Sequence, residues 1–297
     1  MIQGKIIKGI ASFYYVKAGD TVYECSARGV FRKKDVSLYI GDNVEILLAD
    51  GESLRGEYET ASIQKVLKRK NKMIRPPVAN VDQAIIVVPA NNPKPNLDLV
   101  DRLLILVEEE GIDAYICINK IDLDEDKKYL EIKESYQKAG YKVLTTSATQ
   151  KIGIEELREV LKDKTSFFAG NSGVGKSELL NAVEPSFDLE TGGLSSKIQR
   201  GRHTTRHVEL MPLAIGGYVL DTPGFGSVSI DHIEAHDLRH YYIEFHQYEG
   251  ACKFTGCSHI HEPSCKVKEA LDNNIIDERR YKSYTSIYNQ LENIRRW

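Results

Sequence analysis

One segment constrains the fold of this chain more than any other: residues 165–183, which read TSFFAGNSGVGKSELLNAV. A short apolar run leads into a glycine-rich octapeptide at residues 170–177, and a helical pattern follows it. The octapeptide matches G-x-x-x-x-G-K-[ST], in which the glycines let successive backbone N–H groups point at phosphate oxygens. Because such a loop joins the end of a strand to the start of a helix, the segment predicts an α/β sheet with a phosphate-binding edge.

Two side chains at the end of this loop match the chemistry of a nucleotide site. Lys176 would place a positive charge on the β- and γ-phosphates, and the hydroxyl of Ser177 would ligate Mg²⁺. Glu178 follows, at a position where a small or hydroxyl residue is common. Its carboxylate is tolerated if it points to solvent, and we assign it no catalytic role.

The apolar pattern divides the chain into three predicted domains. Residues 1–72 contain short alternating runs separated by turn signals, which predict a small β-barrel or sandwich. Residues 73–228 contain apolar runs that alternate with amphipathic stretches, which predicts a parallel sheet with helices on both faces. Residues 229–297 read as helical around a cluster of cysteines.

A second motif lies well before the glycine loop, in the segment YICINKID at residues 115–122. A buried strand here ends in N-K-x-D, the tetrapeptide that holds guanine in P-loop GTPases. Asp122 can accept hydrogen bonds from N1–H and from the N2 amino group of guanine, and adenine offers no such pair of donors. Asn119 and Lys120 would support and cover the ring. Residues 146–148, Thr-Ser-Ala, fit the element whose backbone contacts guanine O6.

The order of these elements is unusual, because the phosphate loop normally comes first. Binding requires that the elements lie together in space, and it does not require a particular order along the chain. The base elements lie at predicted strand ends, where an open α/β sheet binds ligands. The sequence therefore predicts a circularly permuted GTP-binding domain.

Two switch elements follow the phosphate loop. The D-x-x-G pattern ends an apolar strand, so that Asp221 would hold Mg²⁺ through water and the N–H of Gly224 would sense the γ-phosphate. The heptapeptide GRHTTRH lies between the loop and that strand and contains two candidate magnesium ligands. The sequence does not decide between Thr204 and Thr205.

The residue after D-x-x-G is Phe225, where many GTPases carry a glutamine that orients the attacking water. A phenyl ring cannot orient water by hydrogen bonding, so we expect slow hydrolysis in the absence of a partner. His203, beside the two threonines, is our candidate for orienting the water.

Three of the five cysteines cluster with histidines in the segment CKFTGCSHIHEPSC. Cys252, Cys257, His259 and Cys265 would complete a tetrahedral, structural zinc site with no open position. His261 competes with His259 as the fourth ligand, and free buried cysteines are the alternative to a metal site.

Composition and charge set the compartment and suggest a partner. No run approaches 18 apolar residues and the N-terminus lacks the features of a secretion signal, so a cytoplasmic location is the default expectation. Basic residues outnumber acidic ones by 14 to 9 in residues 1–80 and by 8 to 6 in residues 251–297, whereas residues 81–250 carry 28 acidic and 18 basic residues. Basic ends suggest an anionic partner, although solvated surface explains the same asymmetry.

The whole arrangement resembles the ribosome small subunit-dependent GTPase A family, RsgA, also called YjeQ or YloQ. GNSGVGKS, NKID, GRHTTRH, DTPGF and the cysteine cluster carry the resemblance, which covers essentially the full chain. It implies an OB-fold barrel that binds RNA, a circularly permuted P-loop GTPase domain and a C-terminal helical zinc-binding domain. It also implies a GTPase that binds GTP and GDP, engages the 16S rRNA of the 30S subunit late in its maturation, and is stimulated by that subunit. We expect a monomer, although the sequence does not give the oligomeric state.

The resemblance also extends the set of residues that would contact GTP. These residues are Asn119, Lys120, Ile121, Asp122, Ser147, Ala148, Gly170, Asn171, Ser172, Gly173, Val174, Gly175, Lys176, Ser177 and Glu178. Glu178 departs from the serine usual in the family, which matters little because that position contributes mainly its backbone N–H.

Two other functions compete with a ribosome-dependent GTPase. The first is a metabolic P-loop kinase or ATPase, which base preference would exclude or support. The second, suggested by Phe225, is an RNA-binding protein that is gated by nucleotide and hydrolyses it only incidentally. Turnover with and without 30S particles separates this second function from a GTPase switch.

Overall fold

The structure, a computed structural model, describes residues 1–27, 37–49, 54–55, 58–73, 77–189, 209–221 and 228–294. The elements fall into two compact units. The first contains an N-terminal β-barrel and part of a second sheet. The second contains the rest of that sheet and the C-terminal helices.

The first sheet closes into a barrel, because strands from opposite sides of the sheet pair with each other. Its strands are β1 (Ile2–Ile10), β2 (Phe13–Ala18), β3 (Thr21–Ala27), β4 (Asn43–Leu48), β5 (Leu54–Arg55) and β6 (Tyr58–Val66). Their order is β3-β2-β1-β4-β6-β5, and a parallel pairing of β3 with β6 closes five of them into a ring. This is the strand order of an OB-fold, so the predicted fold of the N-terminal part is confirmed.

Apolar side chains that alternate along the strands fill this barrel, as a period of two requires. Those with no exposed surface are Ile6, Val16, Cys25, Val44, Ile46 and Ile63. After β6 the chain forms a two-stranded ribbon, β7 (Lys72–Met73) with β8 (Val78–Ala79). The buried carboxylate of Asp42 accepts from Arg69 Nε at 2.6 Å. This contact holds the segment that follows β6 against the barrel.

The second sheet carries the phosphate loop. Its strands are β9 (Gln83–Pro89), β10 (Asp113–Asn119), β11 (Lys142–Thr145), β12 (Thr165–Ala169), β13 (Leu210–Pro212) and β14 (Tyr218–Asp221). The order is β11-β10-β9-β12-β14-β13, with β10 parallel to β11 and β12 parallel to β14. The chain runs outward from β9 to β11 and then returns to β12, on the other side of β9. In open α/β sheets this reversal marks the crevice where ligands bind.

Six α-helices complete the described part of the chain: α1 (Leu97–Glu109), α2 (Tyr129–Lys138), α3 (Ile154–Leu161), α4 (Lys176–Val183), α5 (Lys266–Asp272) and α6 (Glu278–Glu292). Helix α1 begins where the Asn96 side chain accepts from Leu99 N at 3.1 Å, and Gly111, with φ +63°, follows its end. No helix among the described residues is long and apolar enough to cross a membrane.

The C-terminal region is built around its own apolar core, to which α1 contributes Ile105. Between Ser229 and the cysteine cluster, where we expected helix, the chain forms two 3₁₀ segments, Ala235–Tyr241 and Ile243–Tyr248. Tyr242 separates them with an extended backbone and is fully buried. The combination of an OB-type barrel, an α/β sheet with a phosphate loop, and a helical region with a cysteine cluster confirms the predicted fold class.

Candidate nucleotide-binding site and metal centre

The phosphate loop, residues 170–177, joins β12 to α4 as its motif predicts. Gly170 has φ +144°, and a Cβ there would fall on the carbonyl oxygen of Val87 in β9. Gly175 has φ +98°, and a Cβ there would fall on the side-chain nitrogen of Asn119. Both positions require glycine, because other residues rarely adopt such φ values and because the neighbouring atoms leave no room.

Lys176 is the first residue of α4. Its ammonium group donates to the carbonyl oxygens of Gly170 at 2.9 Å and Asn171 at 3.0 Å, which holds the charge against the loop. Ser177 and Glu178 follow in the first turn and are half-buried. Because the first N–H groups of a helix lack intrahelical acceptors, this turn presents donors and a cation to an anion.

The segment N-K-x-D lies against this loop. Asn119 ends β10, is 1% exposed, and donates from Nδ2 to the carbonyl oxygen of Val174 at 3.0 Å. Lys120 donates from Nζ to the carbonyl oxygen of Gly173 at 2.6 Å. Lys120 has φ +62°, a left-handed conformation that is uncommon outside glycine and often marks a functional site. The structure thus brings together two motifs that are far apart in the chain.

The two carboxylate oxygens of Asp122 have different surroundings. Its Oδ2 accepts from the hydroxyl of Thr149 at 3.3 Å. Its Oδ1 is buried and has no hydrogen-bond partner among the residues that the structure describes. An unpaired buried carboxylate oxygen is costly, and donors such as the N1–H and N2 amino group of guanine would satisfy it. The site therefore fits a guanine base.

Ser147 and Ala148 follow β11, next to the base segment. The N–H of Ile121 donates to the carbonyl oxygen of Thr146 at 3.3 Å, which ties the two segments together. Ser147 exchanges two backbone hydrogen bonds of 3.0 Å with Ile152, so the turn that contains Ala148 is closed. The roles of these residues toward a nucleotide stay predictions.

Two threonines orient this site: Thr146 was expected only as part of the element at residues 146–148, for its backbone, and Thr149 was not expected at all. Thr146 has no exposed surface and donates from Oγ1 to Oδ1 of Asn119 at 3.1 Å, which turns the Asn119 amide toward the phosphate loop. Thr149 holds Asp122 from the other side. The position of Thr146, a polar residue at the end of a buried strand, could have indicated that its side chain supports the site. Nothing in the local pattern singles out Thr149.

The switch residues are mostly outside the described part of the chain. His203, Thr204, Thr205, Gly224 and Phe225 lie outside the described residues. The backbone of Asp221 ends β14 and pairs in register with Phe168 of β12, and its side chain is outside the described set. The predicted switch and magnesium roles of these residues stay predictions.

The four predicted metal ligands converge. One ligand atom from each of Cys252, Cys257, His259 and Cys265 lies within 4.8 Å of all the others. Nδ1 of His259 is 3.6 Å from Cys252 Sγ and 3.3 Å from Cys265 Sγ, and those two sulfurs are 3.9 Å apart. Zn–S and Zn–N bonds in a tetrahedron imply S···S separations of about 3.8 Å and S···N separations of about 3.5 Å. These four residues can therefore hold a tetrahedral metal ion.

The surroundings favour the metal-binding form of the histidine. Burial, and then the charge of Arg239, lower the pKa of His259 to about 4, so the imidazole is neutral at pH 7 and able to ligate. Tyr281 and Tyr284 of α6 donate to the carbonyl oxygens of His259 at 2.7 Å and Ser258 at 2.6 Å, fixing the loop. His261 is exposed and outside the cluster, so the structure selects His259.

Comparisons with known proteins agree with this geometry. Residues 66–231 match a protein-family model described as RsgA GTPase, and residues 3–53 match one described as RsgA N-terminal domain. The chain is 46% identical over 297 residues, all of both chains, to the small ribosomal subunit biogenesis GTPase RsgA of Alkaliphilus metalliredigens. It is also 46% identical to the protein of that name from Caldanaerobacter subterraneus subsp. tengcongensis, covering 98% of this chain and 96% of the relative.

Solved structures show the same fold over the full length. YjeQ from Thermotoga maritima superposes with a TM-score of 0.84 and 37% identity, covering 99% of each chain. YloQ, described as a circularly permuted GTPase, gives a TM-score of 0.80 and 35% identity, covering 100% of this chain and 97% of that one. With one family model over more than half of its residues and relatives matched from end to end, the chain belongs to the RsgA family of circularly permuted GTPases.

Proposed function

We propose that this chain is a GTP-hydrolysing switch that acts in late maturation of the 30S ribosomal subunit. The observation that carries the proposal is that the base segment, with its carboxylate Asp122 suited to guanine, lies against the phosphate loop at one edge of the sheet. The curated relatives, matched over their whole length, are named small ribosomal subunit biogenesis GTPases. A kinase or ATPase would have no use for a carboxylate placed for guanine.

Within the site, each element has one task toward GTP. Residues 119–122 and residues 147–148 bind the base, and residues 170–178 bind the phosphates through backbone N–H groups and Lys176. Magnesium, when bound, neutralises charge that develops on the β- and γ-phosphates. Its ligands from this chain would be Ser177 and one of Thr204 and Thr205 directly, and Asp221 through water.

Hydrolysis requires that a water molecule be oriented toward the γ-phosphate. Phe225 cannot do this, and His203 is the nearest candidate in the sequence, beside Thr204 and Thr205. Gly224 would donate its N–H to the γ-phosphate. If His203→Ala leaves both the intrinsic and the subunit-stimulated rate of hydrolysis unchanged, this role for His203 is wrong.

The metal of the C-terminal cluster would be zinc, because three thiolates and one imidazole in a closed tetrahedron suit zinc better than harder cations. The domain boundaries would be those expected from the sequence, at residues 72 and 228. The protein would act as a monomer in the cytoplasm, where 30S subunits mature.

The partner surface would be 16S rRNA, since both ends of the chain are basic and neutralisation of phosphates dominates such binding. The experiment is the rate of GTP turnover with and without purified 30S particles, at low and at high salt. A large stimulation that is lost at high salt is expected. Equal rates with and without 30S particles would leave a nucleotide-gated RNA-binding protein as the better description.

The guanine contact has its own test. Asp122→Asn should weaken GTP binding and shift preference toward xanthosine triphosphate, because an amide donates where a carboxylate accepts. Asp126→Asn, which makes the same change at a nearby exposed carboxylate paired with Lys128, is the control and should keep guanine preference. Unchanged preference in Asp122→Asn would mean that the base binds elsewhere.

A further inference from the structure

A group of buried charges joins the C-terminal region to the helices that flank the base segment. Arg280 at the start of α6 is 1% exposed. Its guanidinium donates to Asp101 Oδ1 at 2.6 Å and to Glu244 Oε1 at 2.8 Å. Asp101 has no exposed surface, and Glu244 is 7% exposed. Charges are almost never buried this deeply unless each is paired, so the geometry of this group is tightly specified.

A second set of contacts extends the group onto α2. Tyr136 donates from its hydroxyl to Asp101 Oδ1 at 2.9 Å. Arg279 donates to Asp101 Oδ2 at 2.9 Å and to the hydroxyl of Ser135 at 3.1 Å. Ser135 in turn donates to Asp277 Oδ1 at 2.6 Å, and the same oxygen caps the N-terminus of α6. Helix α6 is therefore fastened to α1 and α2 together.

These two helices determine where the base segment lies. Helix α1 leads through Gly111 into β10, which ends at Asn119. Helix α2 begins at Tyr129, seven residues after Asp122, and Asp124 Oδ2 accepts from the N–H of Tyr129 at 2.7 Å. A shift of either helix would move one end of the segment that carries Asp122.

We propose that Asp101 and Arg280 are positioning residues for guanine recognition, and that α6 is thereby part of the scaffold of the base site. A buried ion group contributes little net stability compared with apolar packing, and its best-supported role is to specify one arrangement. Here that arrangement is the spacing of α1 and α2 around residues 119–122. The inference rests on the proposed contact between Asp122 and guanine.

The test compares affinities for GTP and inosine triphosphate, which lacks the 2-amino group and so one of the two donors to Asp122. Asp101→Asn keeps the side-chain shape and removes the charge. We expect it to weaken GTP binding by about three- to tenfold and to lower the ratio of GTP to inosine triphosphate affinity. The single-turnover rate at saturating GTP should stay within about twofold, because the phosphate loop is untouched. General destabilisation would lower both affinities equally and leave their ratio unchanged.

Ser135→Ala serves if Asp101→Asn fails to fold, because it removes only the hydroxyl between α2 and α6. Tyr284→Phe is the matched control, since it removes a hydrogen bond from α6 to the metal loop and none to α1 or α2. An unchanged affinity ratio in both Asp101→Asn and Ser135→Ala would overturn the inference. Asp122→Asn, measured alongside, separates the two ideas: if it too leaves base preference unchanged, the proposed guanine contact itself has failed.

Discussion

Gly175 shows how one missing side chain couples the two halves of the nucleotide site. Gly173 and Gly175 both have positive φ, at +79° and +98°. A Cβ on Gly173 meets nothing within 4 Å, whereas a Cβ on Gly175 falls on Asn119. Both glycines therefore have a left-handed backbone conformation, but only Gly175 has a neighbour that would clash with a side chain.

This difference predicts unequal costs in the nucleotide-free protein. Gly173→Ala should lower the free energy of unfolding by about 1–2 kcal/mol, the cost of a left-handed alanine. Gly175→Ala should cost about 2–3 kcal/mol more, because it also displaces Asn119 from the carbonyl of Val174. Urea unfolding without nucleotide measures both. Equal costs would mean that Asn119 gives way freely and does not fix the loop.

The cysteines divide into two chemical classes, and alkylation should separate them. Burial raises the pKa of Cys25 and of Cys117 to about 12, and neither thiol has exposed surface. At pH 8 about one molecule in 10⁴ carries either thiolate, so neither should react with iodoacetamide in the folded protein. With metal bound, no cysteine should be labelled.

Chelation should then expose three further thiols, those of Cys252, Cys257 and Cys265. Intact mass after alkylation reports the number of labels. Three labels after chelation are expected, and five labels only after unfolding in denaturant. If chelator makes no difference to labelling, the cluster holds free cysteines and no metal.

Among single residues, the motifs predicted which side chains the fold brings together, and they did not predict the neighbours that orient those side chains. Lys176 and Asn119 were predictable because their motifs specify both residue type and spacing. The support of Asn119 by Thr146, and the unpaired oxygen of Asp122, depend on which strand ends become neighbours. A one-dimensional pattern does not contain that information.

Among the elements, helix α6 contacts the loop that carries the candidate metal ligands. It donates through Tyr281 and Tyr284 to the backbone of the ligand loop, and Tyr284 also packs on Phe245 at 4.9 Å between ring centroids. Since closed four-ligand sites contribute folding energy, loss of the metal should loosen α6 as well as the loop.

His259→Ala should therefore release the metal and raise amide hydrogen exchange throughout α6. His261→Ala is the matched control, two residues away and exposed, and should retain the metal and the exchange protection. Metal content by elemental analysis and exchange by mass spectrometry give the two readouts. Loss of metal in His261→Ala, with retention in His259→Ala, would reverse the assignment of the fourth ligand.

Elements were predicted accurately where a local motif specifies the structure, and less accurately where tertiary packing sets the backbone conformation. The segment KSELLNAV was predicted as the helix of the phosphate loop, and α4 spans the same residues. Residues 235–248 were expected to be helical, with no type of helix specified, and they form two short 3₁₀ segments. Tyr242 lies between the two segments with its ring stacked on Phe245 at 5.5 Å and 4.4 Å from the guanidinium carbon of Arg280. The backbone of Tyr242 is extended where the ring is buried against Arg280, and a hydrophobic period in the sequence does not reveal such a break.

Over the whole molecule, the order of motifs predicted the permutation and the three-part fold. It did not predict the buried charges that connect the C-terminal region to α1 and α2. Arg280 lies in the charged segment DERRYKS and is nevertheless only 1% exposed. Its partners Asp101 and Glu244 are distant in the chain, so only the folded topology shows that the charge is compensated. Burial lowers the pKa of Arg280, but the nearby carboxylates of Glu244 and Asp101 reverse this effect and hold the pKa well above its ordinary value.

The distribution of charge leads to a prediction about how the protein meets its proposed partner. Lys65, Lys68 and Lys72 are exposed at the end of the barrel, in the most basic run of the chain. If this run neutralises rRNA phosphates, each lysine contributes to counterion release and to the salt dependence of binding. Replacing all three with alanine should weaken association with 30S subunits by about tenfold or more at low salt. It should also reduce the slope of log K against log salt by roughly three.

The control removes the same number of charges from the acidic part of the chain, where Lys127, Lys151 and Lys162 are exposed. This second triple variant has the same change in net charge, so a general electrostatic effect would weaken both variants equally. Co-sedimentation with 30S particles over a series of salt concentrations gives the affinities and the slopes. Intrinsic GTP turnover should be unchanged in both variants, because neither set includes a residue of the phosphate loop or of the segments proposed to bind the base. Equal slopes for the two variants would locate the rRNA contacts away from residues 65–72.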